Sequence, residues 1–276
     1  MAVNENGKGG GRIMNEKRRI SLLFFVLVMI FFYLPIVMLV TLSFNNSKNF
    51  IWTGFSLKWY IELFTSSPGL WEAFGRSILI GLTSSVFSVF VATFGAIGIK
   101  WYNSRMKSYV KFLNYIPLIL PDLIIGVALL IFFNMQIGMY KGVELGMTTI
   151  FIAHTAFNIP FSLFIIMARL DEFDYSIVEA ARDLGANEFQ TLLKVILPSM
   201  MPGIVSAFLM AMTLSLDDFV ITSFVTGTNS NTLPVQIYSM IKFGVSPVIN
   251  ALSTILIIGT VVLSLSSRKL QKYMLN

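Results

Sequence analysis

Four ionisable side chains stand inside long apolar runs of this chain: Asp122, His154, Asp217 and Asp218. An ionisable group in apolar surroundings is costly unless it is paired or hydrated, so such groups tend to mark a binding site or a transport pathway. Three carboxylates face at most one weak base, and the inner parts of these runs contain no lysine. We expect this excess of negative charge to suit a cation and to repel anions such as sulfate, molybdate or phosphate.

Each of these groups also has a structural interpretation. At about 1.5 Å per residue, Asp122 lies about 16 Å into its apolar run, where it would line a pathway or, since it follows Pro121, cap a broken helix. His154 would line the pathway or hydrogen-bond a neighbouring helix. Adjacent helical residues point about 100° apart, so Asp217 and Asp218 cannot both face one channel. We expect one of the two to be structural.

A second group of residues lies in the one long charged interruption, which runs from Ser176 to Pro198. Ser176 and Glu179 have the spacing of a capping box, which predicts a short helix from residue 177. Gly185 stands where a residue with positive φ would end that helix. Asn187 and Gln190 repeat the start signal for a second helix.

The short helix predicted after Ser176 has one small apolar face. Ile177, Ala181 and Leu184 recur at helical spacing, and the alanine pair Ala180 and Ala181 would let another surface approach the backbone closely. Glu179 lies beside this face and charged residues flank it. Such an element is typical of helix-in-groove recognition, so we interpret it as a docking element for a partner protein.

The composition identifies the elements that position these groups. Of 276 residues, 55% are hydrophobic and 12% charged, with a mean hydropathy of +0.76. These values predict an all-α membrane protein that crosses the bilayer several times. With no cysteine, disulfides and thiolate metal sites are excluded, and no metal site is predicted. The predicted spans are residues 20–43, 73–99, 112–133 (bent at Pro117 and Pro121), 147–168 (bent at Pro160), 200–224 and 248–265.

Six spans place both termini on one side of the membrane. That side would hold 15 of the 20 lysine and arginine residues and the other side 5. The positive-inside bias therefore predicts cytoplasmic termini and a cytoplasmic loop at 169–198. We divide the chain into a disordered tail at 1–19, a transmembrane domain at 20–270 and a tail at 271–276. Because the net charge of +6 follows this topological pattern, it does not indicate nucleic-acid binding.

The charged loop resembles a motif of a known protein family. EAA at 179–181, Gly185 and VILP at 195–198 have the spacing of the EAA loop in membrane permeases of ATP-binding-cassette importers. That family usually has Ile where Val195 stands. The resemblance implies the type I importer permease fold. It also implies that Glu179, Ala180, Ala181 and Gly185 belong to a coupling helix that sits in a groove of a cytoplasmic ATPase.

The chain after residue 20 resembles, over nearly its whole length, the spermidine/putrescine permeases of the C type. The matching segments are LPDLIIG around Asp122, AH at 153–154, EAARDLGANEF, LSLDD ending at Asp218, SFVTG at 223–227, LPVQIYSMIKFGVSP from Leu233 and NALSTIL from Asn250. The resemblance implies a B-type partner permease, two copies of a cytoplasmic ATPase and an extracytoplasmic polyamine-binding protein. It also links Trp59, Asp122, Glu188 and Asp217 to polyamine uptake. We assign Glu188 to coupling, because it lies in the cytoplasmic loop.

The predicted function is polyamine import across the cell membrane by alternating access. We expect no catalytic residue and no cofactor in this chain: the glycines at 7–11 are not followed by the Lys-Ser/Thr of a phosphate loop, so ATP and Mg²⁺ belong to the partner ATPase. One alternative is an importer permease for another solute, such as thiamine or ferric iron. Others are a secondary transporter that uses Asp122 and Asp217 as an ion relay, and a scaffold subunit whose partner forms the path. Trp59, in the polar loop at 45–70, has an alternative role as an aromatic anchor at the membrane interface.

Overall fold

The computed structural model describes residues 7–49, 51–101, 107–135, 142–242, 244 and 246–274. These residues are almost entirely helical, and one isolated antiparallel bridge joins Asn45 and Phe55. The helices are α1 (Gly7–Ser43), α2 (Lys58–Thr65), α3 (Pro68–Trp101), α4 (Lys107–Ile119), α5 (Asp122–Asn134), α6 (Met147–Asp171), α7 (Ser176–Asp183), α8 (Glu188–Thr191), α9 (Leu197–Asp217), α10 (Val220–Val225), α11 (Leu233–Lys242) and α12 (Pro247–Met274). A π-helical turn, Leu192–Ile196, joins α8 to α9.

The chain forms two compact units. The first contains the residues up to Pro68 and those from Met240 onward, and in it α12 packs against α1 and α2. The second contains Gly69–Ser239. In this second unit α6 packs along α9, α5 packs against α10, and α4 packs against α6.

The core of the second unit depends on small side chains. Gly203, Ala207, Ala211 and Ser215 recur every four residues along α9, and all of them are buried. Such a stripe lets neighbouring helices approach closely, which is the main source of helix packing in a lipid environment. Ala207 and Ala211 share one apolar cluster with buried residues of α3 and α6, namely Val89, Ala92, Ala96, Leu163, Ile166 and Leu170.

Among the described residues, four helices are long and apolar enough to cross a membrane. They are α1, α3, α6 and the continuous helical segment Glu188–Asp217. The pair α4 and α5 would add a fifth if it counts as one broken span, and the apolar part of α12, Pro247–Val262, is shorter. The spans predicted at 20–43, 73–99 and 147–168 thus lie within long helices, and the count supported by length and composition is four or five.

Two predicted spans are not continuous helices. The third breaks at Pro121, where α4 and α5 meet at 109°, because a proline lacks the amide donor that would continue the helix. Pro117 lies inside α4, and Pro160 inside α6. The fifth span was predicted to run through residue 224, but α9 ends at Asp217 and α10 begins at Val220. Asp218 has an extended backbone at this break (φ −65°, ψ 118°).

The amino-terminal segment differs from the predicted disordered tail. Residues 1–6 of that segment lie outside the described residues, but from Gly7 the backbone is helical and continuous with α1. The predicted tail at 271–276 is helical through Met274, and residues 275–276 lie outside the described part.

The π-helical turn before α9 has a local cause. The amide of Leu197 donates to the carbonyl of Leu192, a bond one residue longer than in an α-helix. Pro198 follows at the first turn of α9, and its ring would clash with the carbonyl of Lys194 in a regular α-helix. The wider turn relieves that clash and keeps Glu188–Asp217 helical throughout.

Candidate functional site

Asp218 caps the short helix α10. Its Oδ1 accepts a hydrogen bond from the Ile221 amide at 3.2 Å, and its Oδ2 accepts from the Thr222 amide at 2.8 Å and the Thr222 hydroxyl at 2.6 Å. A carboxylate that accepts the first amides of a helix stabilises its start and competes with continuation of the preceding helix. This capping explains why α9 ends at Asp217.

His154 connects three helices to this carboxylate. Its Nδ1 lies 2.6 Å from Ser215 Oγ of α9, and its Nε2 lies 2.8 Å from Thr222 Oγ1 of α10 and 3.2 Å from Asp218 Oδ2. The His154 side chain is 2% exposed and the Asp218 side chain 8%. We call His154, Ser215, Asp218 and Thr222 the buried polar cluster. The sequence left a pathway role and a packing role open for His154, and its observed bonds lead to two neighbouring helices.

Asp217 differs from its neighbour Asp218. It is exposed, and no ion pair to it occurs among the residues that the structure describes. Asp122, the first residue of α5, is likewise exposed, and α5 packs against α10, which begins three residues after Asp217. Two exposed carboxylates that have no ion pair within the described part of the chain can bind one or two cationic groups.

A glycine brings Asp122 to this position. Gly126 follows Asp122 by one helical turn, and a Cβ on it would lie 2.6 Å from a ring carbon of Phe224 and 3.4 Å from the Cα of Ile221. Only glycine therefore allows α5 to pack this closely on α10. The contact places the amino-terminal end of α5, with Asp122, beside the region that follows α9.

An aromatic pair next to the carboxylates was not predicted. The rings of Phe219 and Tyr238 have centroids 4.5 Å apart at an angle of 44°, and Tyr238 is 53% exposed. The start of α11, which carries Tyr238, is held by a 2.8 Å hydrogen bond from the Leu233 amide to Ser77 Oγ. Only the position of Phe219 directly after Asp218 pointed to it in the sequence, because the contact with Tyr238 is tertiary.

Trp59 belongs to the first unit and is packed there. Its side chain is 2% exposed, its indole Nε1 donates to the Asn45 carbonyl at 2.6 Å, and the Lys58 Nζ lies 4.4 Å from its ring centroid. Asn45 in turn binds the loop through Ile51 and Thr53. The indole therefore stabilises the loop between α1 and α2, and its role in substrate transfer stays a prediction.

The start of α7 differs from the predicted capping box. The helix begins at Ser176, one residue earlier than expected, and the side chain of its N-cap residue, Tyr175, makes no capping hydrogen bond. Instead, Asp174 Oδ1 accepts a hydrogen bond from the Ser176 amide at 2.9 Å, which holds the pKa of Asp174 below its ordinary value. The capping box of Ser176 and Glu179 was therefore wrong, because an aspartate two residues upstream binds the free amide first.

The end of α7 and the start of α8 agree with the prediction. Gly185 has a φ of +84°. Its amide donates to the Arg182 carbonyl at 2.9 Å, and the Ala186 amide donates to the Ala181 carbonyl at 3.0 Å, which together form a Schellman motif. At α8, the side chains of Asn187 and Gln190 each accept a hydrogen bond from the other's amide, at 2.8 and 3.1 Å. This capping box is confirmed.

The surface of α7 is apolar on its exposed side. Val178 is 4% exposed and packs into the core cluster, whereas Leu184 is 90% exposed and Ile177 46%. Ala180 is exposed and Ala181 half-buried. The predicted face therefore points away from the core, and an exposed apolar face of this kind indicates a protein partner. Beside it, Arg182 Nη2 and Glu188 Oε1 form an ion pair of 2.8 Å.

The two regions thus offer different chemistry. The exposed carboxylates can attract cations, and the predicted loop at residues 169–198, which we call the coupling loop, presents the exposed apolar face of α7. Within the residues that the structure describes, no group of three or more His, Asp or Glu side chains could hold a metal ion.

Comparisons with known proteins place these features in context. Residues 84–274 match the family described as "Binding-protein-dependent transport system inner membrane component". The spermidine/putrescine transport system permease protein PotC of Escherichia coli K12 is 37% identical over 246 residues, which are 89% of this chain and 91% of that protein. The putrescine transport system permease protein PotI of the same strain is 39% identical over 84% of this chain and 83% of that protein.

Solved structures show the same fold. A chain of a bacterial ABC transporter involved in the import of the acidic polysaccharide alginate aligns with a TM-score of 0.69 and 16% identity, covering 98% of this chain and 99% of that chain. At this identity the likeness concerns the backbone arrangement alone. The chain therefore has the fold of an ABC importer permease.

Proposed function

Because the chain belongs to the family of binding-protein-dependent transport system inner membrane components, we propose that it is the permease subunit that moves polyamines inward. The names of its relatives support spermidine or putrescine as the substrate class. The observation that carries the proposal is the pair of exposed carboxylates, Asp122 and Asp217, for which no ion pair occurs among the residues that the structure describes.

The chemistry of a polyamine suits this site. A polyamine carries several ammonium groups separated by short methylene runs, so it needs negative charges together with apolar or aromatic surface. Asp122 and Asp217 supply the charges, and the adjacent Phe219 and Tyr238 supply the aromatic surface. The buried polar cluster holds Asp218 and His154 away from this surface. We therefore assign substrate contact to Asp122 and Asp217, and positioning of α10 to Asp218 and His154.

The coupling loop supplies the second half of the proposal. Its exposed apolar face, with Leu184 90% exposed, has the form of a helix that docks into a groove of an ATPase. Glu179, Ala180, Ala181 and Gly185 build this docking helix, and Glu188 braces it through Arg182. ATP and Mg²⁺ then bind to the ATPase, of which two copies work with this chain, a B-type permease and a polyamine-binding protein.

The proposed topology has six spans with cytoplasmic termini. The excess of lysine and arginine on the predicted inner side supports it. In this arrangement residues 20–270 form the transmembrane domain and 169–198 the cytoplasmic loop. α4 with α5 forms a broken third span, and α12 forms the sixth. The binding protein delivers polyamine to the outer mouth, and ATP-driven closure of the ATPase pair moves α7 and reorients the spans for inward release.

Uptake by the complete complex in vesicles tests the substrate class. Wild-type complex is expected to accumulate labelled putrescine or spermidine only with ATP, and the double variant Asp122→Asn with Asp217→Asn is expected to lose most of that uptake. Glu144→Gln is the matched control, since it removes an exposed carboxylate elsewhere in the chain.

Other outcomes identify the alternatives. Uptake that thiamine or ferric iron competes away, with polyamines inert, would assign another solute. Uptake driven by an ion gradient without ATP would indicate a secondary transporter. Unchanged polyamine uptake in the double variant would mean that the partner permease forms the path.

A further inference from the structure

The cytoplasmic ends of α3 and α6 are joined to the start of α7 by one group of side chains. We call Lys100, Trp101, Asp171, Phe173 and Tyr175 the transmission cluster. Lys100 Nζ, at the end of α3, lies 2.6 Å from Asp171 Oδ1, at the end of α6. Lys100 and Asp171 are 71 positions apart in the chain, so this ion pair connects two helices that are distant in sequence.

Tyr175 stands at the centre of the transmission cluster. Its ring centroid lies 5.8 Å from that of Trp101 at 63°, and 5.4 Å from that of Phe173 at 85°. The Lys100 Nζ lies 5.5 Å from the Tyr175 ring centroid, and the Tyr175 hydroxyl donates to the Leu170 carbonyl at 3.3 Å. Aromatic rings in an edge-to-face arrangement attract each other, and a cation near a ring is attracted to that ring.

Tyr175 directly precedes α7, so its contacts fix the end of the docking helix. The segment between α6 and α7 contains only residues 172–175. Val178, three residues further, is 4% exposed and packs in the same apolar cluster as Leu170 and Ile196. The start of α7 is therefore anchored to α3 and α6, while its exposed apolar face stays available to a partner.

We propose that the transmission cluster is the rigid link that converts displacement of α7 into movement of α3 and α6. The proposal rests on the proposed function, since it assumes that an ATPase displaces α7, but it does not depend on which solute is carried. A docking helix on a pliable connection would move without carrying the transmembrane helices with it. The aromatic and ionic contacts around Tyr175 remove that freedom, so these residues act by positioning and do not touch substrate or nucleotide.

The test measures uptake and ATP hydrolysis on the same complex in vesicles. In Tyr175→Leu, the ring contacts are lost, and we expect ATP hydrolysis to continue while the amount of polyamine imported per ATP falls several-fold. Tyr175→Phe keeps the ring and is expected to retain the wild-type ratio. The matched control is Glu172→Gln, which breaks the Arg169–Glu172 ion pair of 3.2 Å in the same segment and leaves the rings untouched.

A second variant tests the link independently, in case the Tyr175→Leu complex does not assemble. Lys100→Met removes the ion pair with Asp171 and the cation beside Tyr175, and a lower import-to-ATP ratio is expected, with rescue by Lys100→Arg. An unchanged ratio in each assembled Tyr175→Leu or Lys100→Met complex would overturn the proposed link. Absence of ATP-driven polyamine uptake in the wild-type complex would instead overturn the proposed function, so the two failures are distinguishable.

Discussion

The buried polar cluster and the coupling loop reverse the usual distribution of polar and apolar groups in opposite ways. Around His154, polar side chains lie in the apolar core, and His154, Asp218 and Thr222 bind one another. Along α7, apolar side chains face outward, and Leu184 is 90% exposed. The first region is complete as it stands, because its hydrogen bonds compensate the burial of polar groups. The second presents apolar surface that, in the proposed function, the ATPase covers.

The same contrast separates two neighbouring aspartates. The Asp218 side chain is buried and accepts three hydrogen bonds, whereas Asp217 is exposed and has no ion pair among the described residues. A group whose bonds are all made within the chain contributes to folding, and a group left without partners is available to a ligand. In the proposed function, the buried polar cluster therefore contributes stability, while Asp217 and the face of α7 serve recognition.

The largest effect is expected on the exposed face of α7. Ala181→Trp would place a large ring where a groove must approach closely, at a cost of about 1–3 kcal/mol or more, which weakens ATPase attachment by roughly 5- to 150-fold or more. Copurification of the ATPase and ATP-driven uptake measure it. Asp183→Trp adds the same bulk to a different side of α7 and is expected to affect both much less. Equal losses in the two variants would show that the apolar face is not the docking surface.

The two aspartates should give opposite results. Asp217→Asn is expected to lower polyamine uptake by roughly 10- to 150-fold, because a charged contact of about 1.5–3 kcal/mol is lost, with no change in the unfolding temperature. Asp218→Asn is expected to lower the free energy of unfolding by about 1–3 kcal/mol, because Asn replaces a buried acceptor of three hydrogen bonds. Thermal unfolding in detergent and uptake in vesicles measure both. A stability loss in Asp217→Asn would break the distinction.

A smaller effect is expected at the aromatic pair. Tyr238→Leu removes an exposed ring that would contact an ammonium or methylene group, a contact of about 0.5–1 kcal/mol. The KM for polyamine should rise a few-fold while the rate at saturation stays unchanged. Tyr238→Phe keeps the ring and is expected to behave as wild type. A change confined to the saturated rate would assign Tyr238 to gating instead of substrate contact.

The smallest effect concerns the start of α7 and its dependence on pH. The hydrogen bond from the Ser176 amide lowers the pKa of Asp174 below 3.8, so the charged form is the one favoured by folding. Its contribution is present above that ordinary value and is lost as the pH falls through the lower pKa of the folded state. Hydrogen exchange of the Ser176 amide, corrected for its intrinsic rate, should accelerate below that pH. In Asp174→Asn this pH dependence should vanish, and its persistence would point to a different titrating group.

Local signals in the sequence predicted local features. Gly185 and the pair Asn187 and Gln190 were identified because positive φ and capping need only a few neighbouring residues. Long apolar runs identified α1, α3 and α6 for the same reason. The capping box at Ser176 failed because two local signals competed, and Asp174 took the amide that the alternative required.

Tertiary features could not be predicted. The sequence placed two carboxylates side by side but could not say which was structural, since that depends on the start of α10 and on His154 from another helix. The contact of Phe219 with Tyr238 and the ion pair of Lys100 with Asp171 join distant segments without any periodic pattern. For α12, composition alone predicted a span, but the apolar part that the structure describes is short.

The π-helical turn at Leu192–Ile196 inserts one extra residue into the helix where the coupling loop joins α9. A regular α-helix turns about 100° per residue, so this extra residue swivels α8 by about that angle relative to α9. α8 therefore presents a different face relative to α9 than it would at the start of an unbroken α-helix, while the segment stays helical throughout.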